Sequence, residues 1–537
     1  MKATCWVLGC ILPRLVVISA GSSTIGWAGT APGSDNVPET IAPISAPFPM
    51  PPMQRPQFPS RVFNIQDYGA VVGGQAKNTG AIAKAIAAAA RAGGGTVLVP
   101  EGNWLTGAIH LENDIRLHLA KGAVLLFSQD FDDYLPLVLS RHEGMDCMKY
   151  ASFVYASGKT NIAITGEGTL EGQAKPWWQR DKELRLLDPR SLEQMAKENV
   201  PAAQRIAHLR PAFFQPINCR NVLVEGVTFR YGAFWTIQPT YCENVIVRGV
   251  KIVTAGEYGH APNGDGIDVD SSRNVLIEHC DFSTGDDCVA LKSGRAEDGL
   301  RVAKPLENVV IRHCRMGEGH GGVTVGSETS GGIRNVYAYD CAFIGTDRGV
   351  RVKTARGRGA AIENLWFEHL TMDKIKNEAI LLHMLRYTPR FPAFPVTETT
   401  PRLRHLHFRN ITCEEAGGDA IQMVGLPELP MNDLHFEDIS IRSTTGLNCT
   451  DARDVQFTGL AIRPLKGPVF DITDGGSITL EKLQLAAPTE LLLRVCGPNA
   501  QGIRIRQTDL KRVARVVELG ADAKADAVEI EARLGKL

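Results

Sequence analysis

Seven short segments of the chain open on asparagine and read as short alternating strands: Asn161 to Ile164, Asn221 to Val224, Asn244 to Val247, Asn274 to Ile277, Asn308 to Ile311, Asn335 to Ala338 and Asn364 to Phe367. From Asn221 onward they recur at intervals of 23, 30, 34, 27 and 29 residues, with weaker echoes at Asp433 and Asp454. Short strands repeating at roughly 20–50 residues, with variable insertions between them, predict a β-solenoid. Each interval has room for two or three strands, fewer than the four of a propeller blade.

The repeat also explains its own punctuation. Asparagine tolerates left-handed backbone and ladders through its amide, so these positions are structural. Cys280, Cys314 and Cys341 each fall six residues after their asparagine, and Cys219 and Cys242 two before theirs. Small apolar groups stacked inside successive coils account for all five. The spacing contains no paired CxxC that would suggest zinc.

Before the repeats, residues 1–28 combine Lys2, an apolar run interrupted by Arg14, and small residues, the pattern of an export signal. Residues 29–60 are rich in Pro, Ala and Ser, a linker or arm, so folded structure is expected from about Arg61. Phe63–Ala70 reads as a short strand closed by glycine, Thr79–Ala92 as a helix ended by Gly93–Gly95, and Thr96–Pro100 and Asp114–Leu119 as strands. These form an N-terminal helical and strand cap of the kind a solenoid requires. The remainder, 61–537, reads as one domain. It has a rim insertion at 176–211, helical near Ser191–Ile206, a Pro- and Thr-rich excursion at Phe391–Pro401, and a polar closing cap of helical character at 521–537.

Function concentrates between Asn263 and Lys353. Second strands between the asparagine strands carry Asn263-Gly264-Asp265, Gly285-Asp286-Asp287, Gly319-His320-Gly321 and Arg351-Val352-Lys353. If Ile267, Val289, Val323 and Val350 point inward, Asp268, Ala290, Thr324 and Arg351 form one outward column, and Asp270, Lys292, Gly326 and Lys353 the next. Coil-length separations then bring the four motifs onto one face, with neighbouring strands about 4.8 Å apart. Three carboxyls in register suit glycoside hydrolysis, which needs one acid to protonate the leaving oxygen and a carboxylate to act on water or carbon. Arg351 and Lys353 suit a sugar carboxylate. A calcium site at Asp265, Asp268, Asp270, Asp286 and Asp287 is the competing reading of the same acids. With 58 basic and 59 acidic residues the chain has a formal charge of −1, which argues against a general nucleic-acid binder. No later segment has the roughly 18 continuous apolar residues of a membrane span.

The four motifs together resemble the signature of glycoside hydrolase family 28, the polygalacturonases. The likeness runs from about Phe63 to Met423 and includes Gly166–Gly172 and Gly326-Ser327-Glu328. The resemblance, closest to the bacterial branch, implies a right-handed parallel β-helix and inverting hydrolysis of α-1,4-galacturonosidic bonds in pectin-type polysaccharide, without metal or cofactor. It implies Asp286 as general acid, Asp265 and Asp287 as holders of the nucleophilic water, His320 as support for the acid, and Arg351 and Lys353 as galacturonate-binding residues. The insertion leans the expectation toward exo-action. Gly264 and Val269 depart from the family pattern, which commonly has Thr and Pro there, and Gly264 is expected to add backbone freedom beside Asp265. A rhamnogalacturonan or xylogalacturonan hydrolase, a calcium-dependent pectate lyase and a non-catalytic β-helical carbohydrate binder remain alternatives.

Overall fold

The structure is a computed structural model that describes residues 33–34, 37–188, 190–386, 388–485 and 488–531. The expected export signal lies outside the described residues.

The chain winds as a right-handed parallel β-helix. The asparagine strands stack in parallel and in register, Val222 on Val245, Val275, Val309, Val336, Leu365 and Leu406 in turn. Every leading asparagine has φ between 55° and 58°, the left-handed conformation expected of it. The Nδ2 of each from Asn221 to Asn364 donates to the Oδ1 of the preceding one at 2.9–3.3 Å. Such bonds contribute about 1 kcal/mol each and fix the coil register as well. Inward residues form one continuous core from Ile65 to Ala527. Toward the C-terminal end Phe367, Phe408, Phe436 and Phe457 stack at 4.7–5.0 Å. Cys280, Cys314 and Cys341 lie in the same interior, and the ten described cysteines are free thiols.

The N-terminal cap follows the sequence closely. Strand Val62–Asn64 passes into a 3-10 turn, Ile65–Tyr68, closed by Gly69 at φ 92°. Helix Thr79–Arg91 buries Ile82, Ala85, Ile86 and Ala89 over the first coil. At the other end, the described part of the closing segment is a turn and a strand, Val528–Ile530, where a helix is expected. Val528 and Ile530 alternate, and they pair in parallel with Ile503 and Ile505, whose edge would otherwise be open.

Ordered packing begins well before Arg61. The extended arm 37–60 lies on the outer face of the asparagine strands, where Phe48 and Met53 cover Ala163, Leu223, Ile246, Leu276, Val310 and Tyr337. Arg55 grips Glu225 with Nε at 2.9 Å and Nη2 at 2.6 Å, while Arg248 and Arg312 donate to the carbonyls of Pro38 and Ala42 at 2.8 Å.

The insertion divides its helical residues differently from the sequence expectation. The helix expected near Ser191–Ile206 is confined to Leu192–Lys197, capped by Ser191 Oγ accepting from the Gln194 N–H, with a 3-10 turn at Ala202–Gln204. Two further short helices, Lys175–Gln179 and Asp181–Arg185, precede it. Trp177 anchors the insertion, fully buried against Phe131, Tyr134, Tyr150 and Phe153. No helix among the described residues is long and apolar enough to cross a membrane.

Candidate active site

The motif-bearing strands Ile267–Asp270, Val289–Lys292, Val323–Val325 and Val350–Lys353 pair in parallel. Ile267, Val289, Val323 and Val350 share one inward column; Asp268, Ala290, Thr324 and Arg351 share the next, as the alternation predicts. This register places Asp265 beside Asp287, since the Gly266 and Ile267 amides donate to the carbonyls of Asp287 and Cys288 at 2.9 and 3.0 Å. His320 falls beside Asp286, whose carbonyl accepts from the His320 amide at 3.0 Å. Arg351 pairs with Thr324, however, so it lies further along the strand direction than His320.

Asp265, Asp286 and Asp287 converge, each offering an oxygen within 4.8 Å of the other two. They line a cavity of about 490 Å³ together with His320, Arg351 and Lys353, so all six expected residues meet in one place. The five-acid calcium set does not. Asp270 is paired with Arg141 at 2.8 Å, and Asp268 is fully buried with Lys292 at 3.6 Å from its Oδ1.

Asp265 and Asp287 are shifted in opposite directions because their neighbours differ. Asp287 is buried, which opposes ionisation, but Lys353, Arg351 and Lys292 outweigh that and hold its carboxyl well below the ordinary range. Lys353 Nζ donates to Asp287 Oδ2 at 2.8 Å, Thr324 Oγ1 to Oδ1 at 2.8 Å and Arg351 Nη1 to Oδ1 at 3.4 Å. Asp265 is equally buried without a cation on it, and burial with the charges of Asp268 and Asp286 pushes its carboxyl well above the ordinary range. Its Oδ1 has no hydrogen-bond partner. Asp286 is less buried and shares a 2.9 Å contact with His320 Nδ1. That contact raises the His320 pKa against the opposing effect of burial. Beneath them Lys292 binds Glu328 at 3.0 Å and lies 4.5 Å from the centre of the Trp235 ring.

Several supporting residues escape the motif reading. Asp347 stands 3.9 Å from His320 Nε2, so the imidazole is flanked by acids on both ring nitrogens. Thr324 was visible as a column position, yet its bond to Asp287 was not. Arg210, from the insertion, donates to Asn263 Oδ1 at 2.8 Å, to Pro262 O at 2.7 Å and to Ala233 O at 2.8 Å, while Asp181 takes its Nε at 2.7 Å. The insertion therefore fastens the turn that presents Asp265.

Gly264 has a steric reason. Its φ is not left-handed, and a Cβ built there would stand 2.8 Å from both Ala261 Cβ and Ala261 O and 2.9 Å from Thr254 Oγ1. Thr254 donates to Gly264 O and accepts from the Gly285 N–H at 3.0 Å, joining the first two motif turns. The space of a larger residue at 264 is thus taken by Ala261 and Thr254, and backbone freedom is not what the position supplies.

The family model for glycosyl hydrolases family 28 matches residues 141–455. A "Probable polygalacturonase" of Vitis vinifera is 29% identical over 433 residues, 75% of this chain and 81% of its own length. The exo-poly-alpha-D-galacturonosidase of Dickeya chrysanthemi is 26% identical over 78% of this chain and 75% of its own. The crystal structure of a hyperthermoactive exopolygalacturonase from Thermotoga maritima superposes with a TM-score of 0.70 at 35% identity, over 76% of this chain and 94% of its own.

Proposed function

Because the chain belongs to glycosyl hydrolases family 28, and is therefore a glycosidase, we propose that it hydrolyses α-1,4-galacturonosidic bonds by inversion, trimming chain ends. The observation that carries the reading is the convergence of Asp265, Asp286 and Asp287 within 4.8 Å in a cavity otherwise rich in Lys and Arg. An acidic sugar is the ligand such a cavity suits, and the similarity to polygalacturonases supports galacturonate.

In this mechanism Asp286 protonates the glycosidic oxygen. The His320–Asp286 pair supplies the proton, and Asp347 helps fix the ring. Asp287, kept anionic by Lys353, and Asp265 beside it hold the water that attacks the anomeric carbon from the opposite side and take up its proton. Arg351 faces the same cavity and binds the uronate carboxylate.

Inverting enzymes usually separate their carboxyl groups by about 6.5–9.5 Å and retaining ones by about 5–5.5 Å. The 4.8 Å here bounds the distances among one oxygen from each of three carboxyls, which is not the separation between acid and base groups, and the base is divided between two residues. Inversion is accordingly the part of the proposal that measured stereochemistry decides.

End-trimming is supported by the wall at one side of the cavity. The antiparallel hairpin Val138–Lys149 contributes Glu143 to the cavity lining, where it binds Arg295 Nη1 at 2.7 Å. Arg295 also reaches Glu193 of the insertion at 3.4 Å, so hairpin, insertion and the loop after Lys292 meet there. A polymeric substrate and the apolar N-terminal run of the sequence favour action outside the cytoplasm.

A calcium-dependent lyase is the second reading, since the three acids have the spacing of a metal site. Against it, both Asp287 oxygens already face cationic or hydroxyl donors. Digestion of oligogalacturonides of defined length, with and without chelator, tests the proposal. Galacturonate monomer as the first product, undiminished by chelator, is expected. Mid-chain fragments would refute end-trimming, and a 4,5-unsaturated product lost on chelation would establish the lyase.

A further inference from the structure

The cationic side chains of the cavity are unequally matched. Lys353 and Arg351 face Asp287, Lys292 faces Glu328, and Arg295 faces Glu143. Arg358 lines the same cavity, but its Nη1 is buried and has no hydrogen-bond partner among the described residues. Burial works against its charge, Glu328 supports it, and Arg295 and Arg386 add repulsion. A buried guanidinium nitrogen with nothing to donate to is costly, and an anion bound by the part of the same guanidinium that lines the cavity offsets that cost.

The position is also built. Arg358 sits between Gly357 at φ 86° and Gly359 at φ 64°, in the loop that follows strand Val350–Lys353. The amides of both glycines donate to the single carbonyl of Thr399, at 3.0 and 2.9 Å, which fastens this loop to the excursion Phe391–Pro401. At Gly359 a Cβ would stand 2.7 Å from Glu398 O, so the clamp requires glycine. The excursion, unexplained by the catalytic motifs, therefore holds Arg358 in place. One other guanidinium in the cavity has a buried nitrogen without a partner, Arg351 through Nε.

We propose that Arg358 is a second carboxylate receptor, separate from Arg351, which binds the acid group of a further uronate of the same substrate chain. This rests on the reading of the substrate as a galacturonate oligomer, in which every sugar carries an anion. A cavity with two unsatisfied guanidinium donors then recognises two free carboxylates at once. It selects de-esterified stretches of polymer over esterified ones by more than the contact at the cleavage point.

The test compares wild type, Arg358→Gln and Arg358→Lys on trigalacturonate and on its fully methyl-esterified form. Arg358→Gln is expected to lose roughly 10- to 100-fold in kcat/KM on the acid, mainly through KM, the range for a hydrogen bond to a charged group. Its much slower turnover of the uncharged ester should stay within about twofold, and Arg358→Lys should fall between. The melting temperature of Arg358→Gln should stay close to that of wild type, because a donor without a hydrogen-bond partner is removed together with a charge that supports Glu328. Equal losses on acid and ester, or none on the acid, would overturn the proposal. Wild type that fails to cleave trigalacturonate would overturn the functional reading itself, and the second receptor with it.

Discussion

Replacing Gly264 by alanine or threonine tests whether the turn beside Asp265 is shaped by space. A Cβ at 264 would meet Ala261 Cβ and O at 2.8 Å and Thr254 Oγ1 at 2.9 Å. Ordinary contacts of this kind lie above about 3.4 Å, so each neighbour, or the glycine itself, must move by about half an ångström. Neither Ala261 atom is the end of a flexible side chain, and Thr254 is held by two hydrogen bonds. Overpacking of this kind costs about 1–3 kcal/mol. The strain falls next to Asp265, a carboxyl proposed to hold the water, where a displacement approaching 1 Å costs roughly 100-fold in rate. Urea denaturation should show a lower midpoint with unchanged slope, and kcat/KM on oligogalacturonides should fall about 100-fold. Gly264→Thr should be worse than Gly264→Ala, even though threonine is common at this place in the motif. Stability within about 0.5 kcal/mol and activity within about twofold in either variant would refute the steric account.

Removing Lys353 as Lys353→Met leaves a buried carboxylate supported by Arg351, Thr324 and the charge of Lys292, so the cost should be near 3 kcal/mol, the lower end for a broken buried pair. Asp287 has its pKa depressed by folding, so it stabilises the fold above its ordinary value and that contribution is lost as pH falls below about 4. The stability gap between wild type and Lys353→Met should shrink over that window in urea titrations. Asp265 has the opposite sign, because its carboxyl is raised and costs stability at neutral pH. Asp265→Asn should raise stability at pH 7, with a gain that fades as pH falls through the raised value, while kcat drops about 100- to 10,000-fold. In the pH profile of kcat/KM, the alkaline limb should lie above the ordinary 6.5 of histidine, where His320 loses its proton, and the acid limb above the ordinary 3.8 of aspartate, set by Asp265. An alkaline limb below 6.5, or activity persisting below 3.8, would contradict these assignments.

The solenoid was legible because its determinants are local and repeated. A left-handed asparagine at each strand start and an inward apolar column leave the same mark in every coil, and register followed from counting along those columns. The arm was also signalled. Strictly alternating strands would be polar at the middle outward position, yet Ala163, Leu223, Ile246, Leu276 and Val310 make these strands apolar throughout, a sign that their outer face is covered. Beyond Trp366 the same column reads His407 and His435, where the arm no longer covers it. Arg210, Asp347 and Arg358 were not legible, since each acts through a contact set by how a loop crosses the coils. Their spacing from the motifs carries no period. Gly264 was visible as a departure, but only the packing of Ala261 and Thr254 gives its cause.

The central claim is that water, held by Asp265 and Asp287, displaces a leaving oxygen protonated by Asp286 in one step. Proton NMR of the first turnovers on trigalacturonate tests this most directly, read before mutarotation and with Asp286→Asn as the inactive control. Single displacement at an α-linkage predicts that the β-anomer appears first at the new reducing end. The α-anomer appearing first would mean a covalent intermediate and retention, and would contradict the assignment of Asp265 and Asp287 as holders of the water.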